Sequence, residues 1–352
     1  MSMKATAETI PATMRAVELC SFERPPESIV AAEKPVPRPG KGQVLVKIAA
    51  APINPSDLAF LRGMYGVKKS LPVVPGLEGS GVVVAAGGGL LARWLLGRWV
   101  ACAAPPSGDG TWAEYMVTSA ALCFPLHKEV SLEQGAMSFV NPLTAWALVD
   151  LARRGGHQAV AQTAAASALG RMILRLAPRF GIEIVHIVRR DEQAELLRSL
   201  GAQHVLNSNS PEFDSELQGL CTRLNVRLAF DAVAGEMTNR LVRAMALGGR
   251  VVIYGALDKA PCQVDPGMMI FAGKGVEGFW LKDWLRKKSL VAQFLAMRNV
   301  QKLLGSDSKT EVQARVPLEE VTKALEQYVS GMTRGKVLLV PPHCVAASHR
   351  LR

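Results

Sequence analysis

The middle of the chain alternates short apolar segments with segments of helical periodicity, and this alternation constrains the fold more than any other feature. Apolar runs that end at Thr163, Val188 and Leu257 are separated by amphipathic segments such as DEQAELLRSL, where Gly201 follows as a helix C-cap. Strands that alternate with helices of roughly 10–15 residues predict βαβ units and a parallel sheet. A doubly wound nucleotide-binding fold satisfies this pattern, and such a fold binds its ligand at the carboxyl ends of the strands.

The segments on either side of this region have a different pattern. Before it, β-branched runs such as VLVKIAAA and SGVVVAAG are punctuated by Pro and Gly, which is typical of a small barrel. After it, VPLEEVTKALEQYVSG has the spacing of an amphipathic helix and GKVLLVP that of a strand. We therefore predict an α/β chain with a β-barrel domain over 13–140 completed by 285–342, a doubly wound domain over 141–284, and flexible tails at 1–12 and 343–352.

Composition excludes several classes of protein. With 49% hydrophobic and 20% charged residues the chain is typical of a globular enzyme rather than a disordered protein. Its formal net charge of +11 favours anionic partners, but no basic run with interleaved aromatics indicates nucleic acid. The longest apolar stretch, Gly81 to Ala92, is too short to span a membrane. The six cysteines form no CxxC pair and no secretory signal is written at the N-terminus, so we expect reduced thiols and a cytoplasmic location.

The stretch TAAASALG, Thr163 to Gly170, stands where a dinucleotide loop is expected. Small residues let the backbone approach a pyrophosphate, and Gly170 allows a close contact between helix and strand. A run of helical periodicity follows from Ala168 to Phe180. The loop departs from the GxGxxG pattern and could equally be an alanine-rich helix start, but the strand before it and the helix after it favour the cofactor interpretation.

The end of the second strand of this region indicates which dinucleotide binds. An NAD enzyme usually places an acid there for the ribose 2′-hydroxyl, whereas here Arg189 and Arg190 follow Val188. Guanidinium groups bind a 2′-phosphate bidentately, so we predict NADPH as the cofactor. The alternative is a solvated helix start, which Asp191 fits because an acid suits the N-terminal dipole.

Several motifs resemble those of the medium-chain dehydrogenase/reductase superfamily, over roughly residues 14–341. They are INPSD (53–57), PGLEGSG (75–81), NPLTAW (141–146) and GKVLL (335–339). RGMYG around Tyr65, VNPLTAW around Asn141 and EGFWL around Trp280 resemble the zinc-independent quinone oxidoreductase and 2-enoyl thioester reductase branch. The resemblance implies a GroES-like β-barrel catalytic domain and a Rossmann domain that binds NADPH.

The resemblance also implies roles by position. Tyr65 matches a tyrosine thought to donate a proton or to anchor the substrate oxygen. The implied cofactor residues are Asn141 beside the nicotinamide, Ala166, Ser167, Ala168 and Leu169 at the pyrophosphate, Arg189 and Arg190 at the 2′-phosphate, and Tyr254, Gly255, Leu257, Phe279, Trp280 and Lys336. The family usually has glycine where Ser167 and Ala168 stand, so we expect their Cβ atoms to crowd the pyrophosphate.

No metal site is predicted. The zinc alcohol dehydrogenases of the same superfamily need a thiolate, an imidazole and a four-cysteine lobe. This chain has Asn54 near the cysteine position and Leu77 at the histidine position. Without a Lewis acid, hydride transfer to an activated double bond is the favoured reaction.

The substrate class stays open between a quinone, an enone and an enoyl thioester. A basic cluster at Lys282, Arg286, Lys287 and Lys288 would suit a phosphopantetheine or coenzyme A tail, but a solvated helix face explains it too. A different class of function is an NADPH-binding structural or RNA-binding protein without turnover. A homodimer joined through the Rossmann sheet edge is common in such families and is expected here.

Overall fold

The computed structural model describes residues 9–23, 27–305 and 309–342, so most of the predicted tails lie outside the described residues. The chain divides into two compact units, which are residues 1–141 with 290–352, and residues 142–289. No helix in the described part of the chain is long and apolar enough to cross a membrane.

The strands are β1 (Thr13–Leu19), β2 (Ile29–Pro35), β3 (Gln43–Pro52), β4 (Glu78–Ala86), β5 (Trp99–Ala103), β6 (Tyr115–Ser119), β7 (Cys123–Pro125), β8 (Ala159–Gln162), β9 (Glu183–Val188), β10 (His204–Asn207), β11 (Leu228–Asp231), β12 (Arg250–Ile253), β13 (Gly275–Gly278), β14 (Val312–Pro317) and β15 (Lys336–Val340). The helices are α1 (Pro55–Leu61), α2 (Leu90–Leu95), α3 (Leu132–Ala136), α4 (Val140–Arg154), α5 (Ala168–Leu176), α6 (Asp191–Ser199), α7 (Phe213–Arg223), α8 (Glu236–Ala244), α9 (Pro266–Ile270), α10 (Leu281–Arg286), α11 (Leu290–Gly305) and α12 (Val321–Ser330).

The first unit is built on a largely antiparallel sheet. Its strands follow the order β14-β15-β3-β4-β5-β7, β6 also pairs with β3, and β1 and β2 form a separate antiparallel pair. The parallel pair of β14 and β15 brings the end of the chain back to β3, as the sequence predicts. Trp112, Leu45 and Ile53 lie fully buried in its main core. The sequence predicts such a β-rich unit, completed by a C-terminal helix and strand.

The second unit is a six-stranded parallel sheet in the order β10-β9-β8-β11-β12-β13. The strand order reverses between β8 and β11. The carboxyl ends of these two strands are therefore the switch point where doubly wound folds bind ligands. The central strands β8, β9 and β11 are almost wholly buried, as expected where helices cover both faces of a sheet. The predicted Rossmann architecture is confirmed.

One helix differs from the expected length. The periodic run from Ala168 to Phe180 is divided into α5, which ends at Leu176, and a single 3₁₀ turn over Ala177–Phe180. Pro178 accounts for the break, since proline has no N–H to donate to the preceding turn and its ring clashes with that turn's carbonyl.

Candidate functional site

The loop between β8 and α5 lies at the carboxyl edge of the parallel sheet. Ala164 turns the chain with a left-handed φ of 48°. Ser167 is the N-cap of α5, and its Oγ accepts a hydrogen bond of 3.1 Å from the Gly170 amide. A Cβ at position 170 would overlap the carbonyl oxygen of Ala165, so only glycine lets the helix approach the loop this closely. The loop therefore directs a helix N-terminus along the sheet edge.

The predicted pyrophosphate residues are mostly enclosed by this packing. Ala166 and Leu169 are buried, while Ser167 and Ala168 are half-buried. Because the Ser167 hydroxyl already satisfies a first-turn amide, the side chain that replaces the family's glycine also reduces the number of amides open to a ligand. The expected crowding of a pyrophosphate stays a prediction.

The two arginines after β9 are exposed at the same edge. Asn209 Nδ2 donates to the Arg189 carbonyl at 2.9 Å and holds the backbone of this turn. Arg190 is the N-cap residue of α6. Asp191 accepts from Asn207 Nδ2 at 2.8 Å, and neither guanidinium group forms an ion pair with any residue that the structure describes. Both guanidinium groups are therefore open to an external anion.

A buried carboxylate organises the neighbouring strand ends, and the sequence analysis did not identify it. Asp231 accepts from Thr163 Oγ1 at 2.8 Å and from Thr238 Oγ1 at 2.7 Å. It also accepts from the amides of Val233 and Ala234. The available signal was a polar residue at the end of each of two buried strands. This network ties the loop after β8 to the loop after β11.

The ends of β12 and β13 carry the remaining predicted cofactor residues of this unit. They are Tyr254, Gly255, Leu257, Phe279 and Trp280. Tyr254 and Leu257 donate their amides to the carbonyls of Asp231 and Ala232, and the amide of Phe279 donates to Ile253. A Cβ at Gly255 would lie 2.9 Å from the Ala232 oxygen. The missing side chain therefore lets the backbone after β12 pass close to the backbone after β11. These residues therefore line the same edge as the loop and the arginines.

Tyr254 provides an unsatisfied polar group at this edge. Its hydroxyl is buried and has no hydrogen-bond partner among the described residues. Burial, with Asp231 nearby, raises the pKa of the phenol above its ordinary value, so the hydroxyl keeps its proton. A buried donor without a partner costs about 1–3 kcal/mol. A polar ligand at this edge would satisfy it.

Three predicted residues belong to the first unit instead. Tyr65 is half-buried in the loop after α1 and packs against the core around Trp112. Asn141 lies in the first turn of α4 and is half-buried. Lys336, which we predict as a cofactor contact from the resemblance, opens β15 and is only 2% exposed. Its ammonium lies in a buried polar cluster, and the sequence did not predict that these residues meet.

This cluster, the Lys336 cluster, comprises Asn54, Asp57, Glu78 and Lys336, all buried. Lys336 Nζ donates to Asn54 Oδ1 and lies 3.4 Å from the Ile53 carbonyl. Asn54 Nδ2 donates to Glu78 Oε1 at 2.9 Å, so the amide links the ammonium to the carboxylate. Asp57 accepts from the backbone amides of Asn54 and Leu77.

Glu78 connects the Lys336 cluster to the start of α4. Its Oε2 accepts from the amides of Phe139 at 2.9 Å and Val140 at 2.8 Å. These amides lie at the N-terminal end of α4, where amides lack intrahelical acceptors. The carboxylate thereby fixes the chain immediately before Asn141.

Burial dominates the electrostatics of the Lys336 cluster. It raises the pKa of Asp57 to about 7, although the Asn54 amide opposes the shift. It raises the pKa of Glu78 as well, against the attraction of Lys336. The same burial lowers the pKa of Lys336 to about 8, with both carboxylates opposing. The ammonium thus keeps two buried carboxylates ionisable.

Asn54, which the resemblance places near the cysteine position of the zinc enzymes, forms a hydrogen-bonding link between Lys336 and Glu78. Among the described residues there is no group of three or more His, Cys, Asp or Glu side chains that could hold a metal ion. The four-membered Lys336 cluster offers two carboxylates, both occupied by protein donors. Metal independence stays a prediction for experiment.

Comparison with known proteins matches both units. Residues 40–128 match the alcohol dehydrogenase GroES-like domain, and residues 168–297 match the zinc-binding dehydrogenase family. The mitochondrial enoyl-[acyl-carrier-protein] reductase of Arabidopsis thaliana is 32% identical over 84% of this chain and 79% of its own length. The human protein of the same name is 31% identical over 84% of this chain and 80% of its own length.

Solved structures have the same architecture. A protein of Mesorhizobium loti, described as a candidate NADPH:quinone reductase, superposes with a TM-score of 0.89 at 37% identity, over 95% of this chain and 100% of that chain. A mycobacterial protein complexed with NADPH has a TM-score of 0.77 at 26% identity, over 93% of this chain and 100% of that one.

Proposed function

Since the chain belongs to the medium-chain dehydrogenase/reductase superfamily, in its quinone oxidoreductase and enoyl reductase branch, we propose that it is an NADPH-dependent reductase of activated double bonds. One observation carries the cofactor assignment. Arg189 and Arg190 occupy the end of β9 with unpaired guanidinium groups, at the position where an NAD enzyme has an acid. The names of the relatives and the NADPH complex of the mycobacterial structure support the same assignment.

The residues at the carboxyl edge fit a phosphorylated dinucleotide. The N-terminus of α5 offers an anion the positive end of the helix dipole and the first-turn amides that Ser167 does not occupy. The two arginines bind a 2′-phosphate, and the unsatisfied hydroxyl of Tyr254 offers a donor inside the site. Phe279 and Trp280 supply apolar and aromatic surface next to it. When bound, NADPH supplies a hydride to the substrate.

Tyr65 is proposed as the group that handles the substrate oxygen. Hydride addition to the β-carbon of an α,β-unsaturated carbonyl moves negative charge onto the carbonyl oxygen, and a proton then returns to the α-carbon. A tyrosine hydroxyl is a donor that can stabilise this charge as it develops. Asn141 is proposed beside the nicotinamide. The amides of Phe139 and Val140 donate to the Glu78 carboxylate and so hold the backbone that precedes Asn141.

The substrate is proposed to be a quinone, an enone or an enoyl thioester. Relatives named for enoyl thioester reduction and for quinone reduction are both present, and both favour an enzyme over a structural or RNA-binding protein without turnover. NADPH consumption with a panel of these three substrate types decides among them. Absence of turnover with every member of the panel would refute the proposed reaction.

The cofactor assignment is tested by binding. Replacing both Arg189 and Arg190 by Ala removes charge-assisted hydrogen bonds of about 1.5–3 kcal/mol each, so NADPH affinity should fall by about 10²–10⁴-fold while NADH affinity changes little. Arg223→Ala, on the exposed last turn of α7, is the matched control. Fluorescence titration with both cofactors measures the effect. Equal loss for NADPH and NADH, or no loss, would contradict the assignment.

A cytoplasmic location and a homodimer remain proposals. The predicted dimer would use the exposed edge strand β13 of the parallel sheet. Fractionation and sedimentation measurements test the two separately. The enoyl reductase relatives are named as mitochondrial proteins, so a mitochondrial fraction is part of the first experiment.

A further inference from the structure

A set of large apolar side chains is exposed around α2 in the first unit, and it includes no residue of the proposed reaction. We call this set the Trp94 patch, and its members, with their exposed fractions, are Leu90 (89%), Leu91 (45%), Trp94 (48%), Leu96 (53%) and Trp99 (52%). Such clustering is unusual, because exposed apolar residues are normally scattered singly, and larger patches mark interaction surfaces.

The patch is a built feature of the fold. Ala92 and Leu95 of α2 are buried and pack into the core with Val44, Val46 and Met116. This anchoring turns the opposite side of the short helix, with Leu90, Leu91 and Trp94, toward solvent. The helix is therefore held by its own apolar contacts, and the exposed residues are in excess of what the core needs.

The charged residues in the segment that carries the patch are all basic. Arg93 and Arg98 lie within it, and no Asp or Glu occurs from Gly79 to Gly108. The Arg98 guanidinium stacks 4.1 Å from the Trp94 ring, and its Nε donates to the Trp94 carbonyl at 2.7 Å. The amide of Gly42 donates to the Gly88 carbonyl at 3.0 Å, which brings the exposed Lys41 beside the start of α2.

We propose that the Trp94 patch is a peripheral docking surface for an anionic lipid bilayer. Leucine and tryptophan side chains partition into the headgroup and acyl boundary, and tryptophan is enriched there because its indole is amphipathic. Basic side chains at the rim attract the negative leaflet surface. The net charge of +11 adds a long-range attraction of the same sign.

The same charges disfavour a second copy of this chain as the occupant. A two-fold contact through the patch would bring Arg93 and Arg98 of the two copies into one interface, and like charges that face each other across an interface disfavour association. A bilayer of anionic lipid matches both the apolar centre and the basic rim. Docking at this surface is independent of the reaction that the enzyme catalyses.

Vesicle flotation of the full chain tests the proposal. Vesicles of phosphatidylcholine alone are compared with vesicles that also contain phosphatidylglycerol, at low and at high salt. We expect at least tenfold stronger binding to the phosphatidylglycerol vesicles, weakened by salt, together with a blue shift of tryptophan fluorescence. Equal binding to both vesicle types, or no binding to either, would overturn the proposal.

Variants locate the contact. Leu90→Ser combined with Trp94→Ser should reduce vesicle binding at least tenfold, and Arg93→Glu should reduce the preference for phosphatidylglycerol. The matched control is Ile270→Ser with Phe271→Ser, because those side chains are 71% and 87% exposed in the other unit. All the replaced side chains are exposed, so thermal melting curves should be unchanged.

Two results would refute the assignment of the surface. One is vesicle binding by the Leu90 and Trp94 double variant that equals the wild-type binding. The other is self-association of the wild type in sedimentation velocity that the same double variant abolishes without any vesicle binding, since the patch would then be a protein interface.

Discussion

Lys336→Met is the change that most directly tests the electrostatics of the Lys336 cluster. Methionine preserves most of the volume and removes the ammonium. The change leaves the acceptors Asn54 Oδ1 and the Ile53 carbonyl without their donor, and it leaves Asp57 and Glu78 without their cation. Breaking a buried ion network in this way costs about 3–5 kcal/mol. At roughly 2–4 °C per kcal/mol, the melting temperature should fall by roughly 6 °C or more.

The loss should depend on pH, and the sign follows from the directions of the pKa shifts. A carboxyl whose pKa is raised in the folded state destabilises that state progressively as pH rises from the unfolded pKa to the folded one. Asp57 and Glu78 are of this kind, and Lys336 limits their shift. Removing the ammonium raises both pKa values further. The variant should therefore lose more stability at pH 8 than at pH 5.

Lys336 itself contributes little across that range. Its pKa is lowered to about 8, so the folded state binds fewer protons than the unfolded state only between about pH 8 and the ordinary value of 10.5. The group's own effect on stability is therefore nearly constant from pH 5 to below 8. The change in slope can be assigned to the carboxylates.

Thermal melting at pH 5 and pH 8 measures the effect. Lys274→Met is the matched control, since Lys274 is also buried and its Nζ donates to the Arg243 carbonyl at 3.0 Å, outside the Lys336 cluster. We expect a pH-dependent difference from wild type for Lys336→Met and a nearly pH-independent one for Lys274→Met. The same loss at both pH values for Lys336→Met, or a loss under about 1 kcal/mol, would refute the reasoning.

Three further predictions concern the reaction and the cofactor loop. Tyr65→Phe should lower kcat for enoyl substrates by ~10²–10⁴-fold and NADPH affinity hardly at all, and steady-state rates within about twofold of wild type would remove Tyr65 from the mechanism. Gly170→Ala should lower both the melting temperature and NADPH affinity, because the added Cβ overlaps the Ala165 carbonyl. Gly219→Ala on α7 is the control. Its Cβ would enter open space, so this change should raise the melting temperature slightly. Activity should survive chelation, and elemental analysis that finds about one zinc per chain, lost together with activity, would contradict the predicted absence of a metal.

The Rossmann unit and the position of the loops at its carboxyl edge could be predicted from the sequence because their determinants are local. A parallel strand followed by a helix is written in one continuous stretch of chain, and its loop always lies at the carboxyl edge of the sheet. The position of Arg189 and Arg190 after β9 follows from that rule alone. The GroES-like fold could be predicted for the same reason, since the turns between its short strands are marked by proline and glycine in the local sequence.

The tertiary structure decided which distant groups meet. Lys336 and Asn54 are separated by 282 positions, and their hydrogen bond exists only because β15 pairs with β3. No local pattern predicts that Lys336 lies in such a cluster, since burial and distant partners decide it. A contact between Lys336 and the cofactor stays a prediction. Trp94 illustrates the converse, because an apolar run predicts burial while only the packing of α2 shows which of its side chains the core leaves in water.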